Sequence, residues 1–208
     1  MKKTFIFSAL AGAAMFAGQA SAGLLSIVGG EEAVLPSDFD PNPSVPGLSV
    51  GTPILHFTSA TIADAGLSLA KDRRLVFTFM GSEAGFTNRA FEMTNLLFNE
   101  DTTEAGTSSN ALADAGLVDF TFSSNDSSLP ATRFITNGVG GNPEGVNISF
   151  ALAPDGHSYY AMYGDSTDDG DRDDMIIKIT AIPVPAGGVL LLTALGGLGL
   201  ARRRRKAS

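Results

Sequence analysis

The chain contains no cysteine and no tryptophan. Without cysteine there are no disulfides, thiolate nucleophiles or thiolate metal ligands, so stability has to come from an apolar core, with a bound metal as the remaining aid. Histidine occurs only at His56 and His157, which leaves little room for imidazole chemistry. Basic residues are scarce in the middle of the chain. All 22 acidic residues lie between Glu31 and Asp174, and only Lys71, Arg73, Arg74, Arg89, Arg133, Arg172 and Lys178 oppose them, seven against 22, a net charge of −15. Phosphate binding needs a basic footprint, so no nucleic-acid partner is expected. An acidic surface instead favours solubility and attracts divalent cations.

The remaining basic residues sit at the two ends. Lys2 and Lys3 precede an apolar run from Phe5 to Phe16, and Ala20-Ser21-Ala22 supplies small residues at Ala20 and Ala22 for signal-peptidase cleavage. Residues 1–22 therefore read as a secretory signal peptide, the run being short for a membrane helix. At the other end, no charge occurs from Ile179 to Ala201. At about 1.5 Å per helical residue that stretch could cross a hydrocarbon core about 30 Å thick, although its glycines and prolines weaken it as a helix. Arg202, Arg203, Arg204, Arg205 and Lys206 come directly after it. The positive-inside rule keeps such a cluster cytoplasmic and turns the acidic domain outward. The expected organisation is a signal peptide (1–22), one extracytoplasmic domain (23–181), and a tail (182–208) with a single C-terminal transmembrane helix.

The tail opens with Ile182-Pro183-Val184-Pro185-Ala186-Gly187. A short proline motif, an apolar run and a terminal arginine cluster together resemble the tripartite PEP-CTERM and VPLPA-CTERM sorting domains of exported bacterial proteins. The match is to the Pro-x-Pro-Ala core of the second variant, with Ile-Pro-Val where that family usually has Val-Pro-Leu. The resemblance implies transient recognition and cleavage by a membrane-embedded exosortase, hence a protein tethered to the inner membrane and then released to the cell surface or beyond. Two internal stretches are similar to segments that recur in such proteins: Gly81-Ser82-Glu83-Ala84-Gly85-Phe86-Thr87-Asn88, and Asp171 to Ile179. Neither brings an activity with it.

Within residues 23–181 helical periodicity is rare and alternation common. Val118 to Ser123 and Val146 to Phe150 place apolar side chains at every second position, the mark of a strand with one buried face. Leu75–Met80, Ser158–Tyr163 and Met175–Thr180 are further strands by their aromatic and β-branched content, and Ile54–Thr58, Ala90–Phe98 and Leu24–Val28 are weaker ones. Turn formers divide them, as in Gly138 to Pro143 and Pro154-Asp155-Gly156. The spacing predicts an all-β fold, an antiparallel β-sandwich of jelly-roll type with a phenylalanine core. Asp101 to Ala115 reads equally as a short helix or a long loop.

Two stretches carry chemistry. The Gly81–Asn88 segment reads as a tight corner, its glycines permitting positive φ while Glu83 and Asn88 hydrogen-bond the backbone. Asp165 to Asp174 holds six aspartates in ten positions. Asp169, Asp171 and Asp173, with Asp174 or Asp165, could converge on one calcium ion, which takes 6 to 8 oxygens. The register is not that of an EF-hand: with Asp169 first, the required glycine falls on Asp174 and the bidentate glutamate on Thr180. The alternative is a solvated acidic loop partly neutralised by Arg172 and Lys178.

Catalytic signals are thin. Gly47-Leu48-Ser49-Val50-Gly51 satisfies G-x-S-x-G, but a nucleophile elbow needs a strand before it and a helix after it, and here prolines flank it. The acids offer many carboxylate pairs for a glycosidase and single out none. Three readings stand open: a noncatalytic exported or surface protein associated with exopolysaccharide or biofilm matrix; a calcium-dependent carbohydrate-binding module with Tyr159, Tyr160 and Tyr163 stacking on sugars; and a secreted hydrolase.

Overall fold

The structure, a computed structural model, describes residues 23–83, 87–125, 133–165 and 172–182. Residues 1–22, the sorting motif Pro183–Gly187, the basic cluster Arg202–Lys206, and Gly85, Asp169 and Asp171 lie outside them. The described chain forms fourteen strands and no helix. In chain order these are β1 (Leu25–Val28), β2 (Glu31–Val34), β3 (Pro53–Thr58), β4 (Gly66–Leu69) and β5 (Arg73–Gly81). Next come β6 (Thr87–Glu92), β7 (Asn95–Asn99), β8 (Ser108–Ala113), β9 (Gly116–Leu117) and β10 (Thr121–Asn125). The last four are β11 (Arg133–Thr136), β12 (Asn147–Leu152), β13 (Ser158–Gly164) and β14 (Met175–Ala181). Among the described residues no helix is long and apolar enough to cross a membrane.

All pairings are antiparallel, as the alternating sequence predicts. A seven-stranded sheet runs β2-β3-β12-β13-β14-β5-β8; a four-stranded sheet runs β11-β10-β6-β7; a three-stranded one runs β1-β4-β9. The two smaller sheets pack on one face of the large one. Phe57, Phe77, Phe79, Phe150, Ile177 and Ile179 from the large sheet meet Leu67, Leu69, Phe98, Phe122 and the intervening Phe120 in one core. The result is sandwich-like.

Phe120 joins the layers. Its ring stands edge-on to Phe122 at 5.8 Å and to Phe150 at 6.3 Å, and tilted to Phe77 at 6.5 Å. These are the edge-to-face geometries that aromatic quadrupoles favour. The other face of the large sheet is buried too. Leu35, Phe39 and Val45, from the irregular segment between β2 and β3, cover Ile54, Ala151, Tyr160, Met162 and Ile176. Two-sided burial explains why Met175-Ile176-Ile177 reads as a continuous apolar run where a half-buried strand would alternate.

Asn137 ties the three-stranded sheet to the rest. Its Oδ1 accepts from Leu67 N–H at 2.8 Å, and its Nδ2 donates to Leu67 O at 2.9 Å and Val118 O at 2.8 Å. Gly66 (φ 121°) makes room for it, since a Cβ there would lie 2.0 Å from Asn137 Oδ1. At the C-terminal end of β14, Ile182 N–H donates to Arg74 O at 2.9 Å, holding the last described residue to the start of β5.

The sequence-based strands 54–58, 75–80, 158–163 and 175–180 fall on β3, β5, β13 and β14. Two expectations are corrected. Ala90–Phe98 is two strands, β6 and β7, joined at Met93, whose φ is 52°. Asp101 to Ala115 is not a helix: turns at its start lead into β8, an edge strand with Leu112 77% exposed. An edge strand with little burial carries no strong alternation, which hid it. We expect Phe120→Ala to lower unfolding stability by about 3–5 kcal/mol in urea denaturation, as core phenylalanine truncations do. Phe134→Ala, at a 41% exposed position on β11, should cost well under half of that.

Candidate functional site

The two stretches singled out for chemistry meet in space. Near the end of β5 the register shifts: Ile176 faces Gly81 while Ile177 faces Phe79, so Met80 is an extra residue on the β5 side. Such a bulge bends a strand and re-aims the residues after it. Gly81 (φ 148°) comes next, and a Cβ there would lie 2.7 Å from Asn42 O. Only glycine fits this close approach. The turned chain then bonds the residues that lead into β14. Glu83 N–H donates to Asp173 O at 2.9 Å, and Asn88 Nδ2 donates to Asp174 O at 3.2 Å. The expected role of Asn88 as a backbone-bonding corner amide is what the structure has.

The carboxylates of this corner are not solvated. Asp165, Asp173 and Asp174 are 4%, 0% and 7% exposed. Asp173 Oδ2 accepts from Asp40 N–H at 2.5 Å, which pins the segment covering the large sheet. Asp165 Oδ2 accepts from Ser124 Oγ at 3.0 Å, and Asp174 Oδ2 accepts from the main-chain N–H of Asp165 at 2.7 Å. Arg133 Nη1 donates to Asp165 O at 2.6 Å. The reading of a solvated loop neutralised by Lys178 is thus corrected for these three residues. Burial at the sheet end removes them from water, and Lys178 pairs with Asp155 at 2.7 Å, beyond the opposite end of β13. Among the described residues no three carboxylate, imidazole or thiol groups stand close enough together to hold a metal ion.

Two neighbours complete the corner. Tyr163, on β13, is fully buried and stacks on Phe122 at 5.3 Å and 14°. Burial, and then the charges of Asp165 and Asp174, push its phenol far above the usual range against the pull of Arg133. Its hydroxyl makes no hydrogen bond among the described residues. Leaving a buried polar group unpaired costs about 1–3 kcal/mol. Asn88 is likewise fully buried, and its Oδ1 has no hydrogen-bond donor among the described residues.

The catalytic candidates do not assemble. Ser49 is exposed in a turn, its Oγ 3.4 Å from Thr52 Oγ1. His56 on β3 turns instead to Ser149 on β12, with 3.0 Å between Nδ1 and Oγ. Burial, and then the charge of Arg172, lower the His56 imidazole to about 4, so it is neutral at physiological pH. Ser149 is fully buried. His157 lies in the turn before β13, its Nδ1 2.8 Å from Asp155 O. Of the three tyrosines proposed to stack on sugars, Tyr163 is in the core and Tyr160 is 2% exposed with its hydroxyl donating to Pro46 O at 2.9 Å. Tyr159 alone is partly exposed, and it lines a groove of about 860 Å³ with Val34, Ile54, Leu55 and Leu152.

No family model, curated protein or solved structure matches the chain.

Ser124, Arg133, Glu100 and Ser149 carried no functional signal in the sequence, and Tyr163 was read only as a sugar-stacking ring, because their roles arise from strand pairings between distant segments. Glu100 is the most consequential of them. Its Oε1 accepts from Asn88 N–H at 2.8 Å, and Asn88 O accepts from Glu100 N–H at 3.1 Å. Half-burial raises its carboxyl, the Asn88 N–H opposes this, the Asp101 charge adds to it, and the result is about 7. A carboxyl raised on folding binds its proton more tightly in the native state. Its contribution to stability is therefore present below about 4.5 and lost as pH rises towards 7. Thermal midpoints of the wild type should fall across that window, and Glu100→Gln should flatten the slope; an unchanged slope would refute this assignment.

Proposed function

We propose that this chain is a noncatalytic exported protein, a jelly-roll-type β-sandwich carried to the cell surface or the surrounding polysaccharide matrix by exosortase-type handling of its tail. One observation carries the reading: a signal-peptide pattern at residues 1–22 and a proline motif, apolar run and arginine cluster at residues 182–208 flank one acidic domain. The non-consecutive strand order of the large sheet is compatible with the crossing connections of a jelly roll. The burial of Ser149 behind His56 and the turn setting of Ser49 give no support to a hydrolase. Signal peptidase and an exosortase are the transient partners on this reading, and an acidic polysaccharide-associated surface is the destination.

A second reading, a carbohydrate-binding module, draws on one observation, the partly exposed Tyr159 in its apolar groove. Sugar faces pack on such rings. A glycan array with wild type and Tyr159→Ala separates the two: binding lost in the variant favours the module.

Intact-mass analysis of protein recovered from medium and from membranes tests the leading reading. The expected product in the medium starts at Gly23 and ends near Pro185. A chain retaining Met1 in the cytoplasm would sink the proposal of export, and a full tail found only in membranes would sink that of release.

A further inference from the structure

We infer that the polar corner at the β5–β14 end of the sandwich binds a hard divalent cation, calcium by its chemistry, on the carboxylates of Asp165 and Asp174 and the amide oxygen of Asn88, beside the hydroxyl of Tyr163. Such a site is independent of how the protein is exported. It differs from a calcium loop built on Asp169, Asp171 and Asp173, because the ion sits inside the domain, between three strand ends.

Asn88 points to the ion more directly than the acids do. Its side chain is fully buried, and Nδ2 is committed to Asp174 O at 3.2 Å. That bond fixes the amide, since the reverse orientation would set two carbonyl oxygens against each other. The oxygen Oδ1 is therefore held beside Asp174 without a donor among the described residues. Buried amide oxygens are normally satisfied, and one left without a donor beside the main chain of a buried aspartate is an oxygen that a hard cation can use. Tyr163 gives a second, separate indication. Its hydroxyl is buried and makes no hydrogen bond among the described residues, although the charges of Asp165 and Asp174 both reach it. A hydroxyl in that position can donate to a carboxylate oxygen or to water on the ion once the site is filled.

The acids bring the complement. Asp174 Oδ2 lies 2.7 Å from the main-chain N of Asp165, so the two residues are neighbours as well as both buried. Arg133 is bonded to the main-chain oxygen of Asp165. All the donors are oxygens, and the set comes from β6, the end of β13 and the start of β14. Calcium tolerates irregular geometry and completes 6 to 8 positions with water, whereas magnesium demands a near-ideal octahedron. Two carboxylates and an amide suit the weaker, extracellular class of calcium sites.

The test uses the full chain, stripped with chelator and titrated with calcium chloride to about 10 mM, roughly tenfold above the weakest extracellular sites. Two signals are read: the thermal midpoint and the ultraviolet difference spectrum of tyrosine, which no tryptophan obscures. Calcium should raise the midpoint by several degrees and perturb the tyrosine band. Tyr163→Phe should abolish the spectral change and keep the rise in midpoint. Asn88→Ala should weaken calcium binding at least tenfold, and Asp165→Asn with Asp174→Asn should remove it. A midpoint indifferent to calcium, meaning that the corner holds water only, overturns the inference. So does a calcium response that survives Asp165→Asn with Asp174→Asn and is lost in Asp169→Asn with Asp171→Asn.

Discussion

Everything in this fold depends on burying the large sheet from both sides. A chain without disulfides has only packing to set against the entropy of ordering its backbone. The seven-stranded sheet meets this by presenting phenylalanines to two smaller sheets on one face and Ile54, Met162 and Ile176 to the segment between β2 and β3 on the other. That segment has no regular structure, so it needs anchors. Tyr160 supplies one through Pro46 O, and Asp173 supplies another through Asp40 N–H. The acidic stretch is therefore part of what closes the core, and the second layer is held by polar bonds at its rim.

The same corner shows how a sheet end accommodates buried charge. A bulge at Met80 and a glycine at 81 bring the chain after β5 against the residues before β14. Main-chain N–H groups and a serine hydroxyl then supply the hydrogen bonds that buried carboxylates need. Glu100 and Asn88 extend this network into the four-stranded sheet. The corner thus couples both halves of the sandwich through polar contacts, where Phe120 couples them through apolar ones.

Most of the architecture was legible in the sequence because its long strands are half-buried or fully apolar. β5 alternates in burial from Leu75 to Gly81, and its aromatic and β-branched residues mark it as a strand even though Val76 and Met80 break the apolar alternation. The short edges were not legible. β2 carries Glu31 and Glu32 on exposed positions, and β8 exposes Leu112, so neither shows a buried face. For the corner, the two local stretches were recognisable by their glycines and aspartates, but their adjacency was not. Gly81 and Asp174 meet through the β5–β14 pairing, which no local pattern encodes. Ser124, Arg133 and Tyr163 are ordinary strand residues until β10, β11 and β13 place them at one end. The tyrosines looked available to sugars for the same reason, since an aromatic in a strand does not say which face will be covered.

The small bond from Ile182 to Arg74 has a geometric consequence. β14 begins beside Asp174 and ends at Ala181, so the corner and the exit of the chain stand at opposite poles of one strand, about 23 Å apart at some 3.3 Å per residue. Whatever grips residues beyond 182 holds the domain by its Arg74 pole.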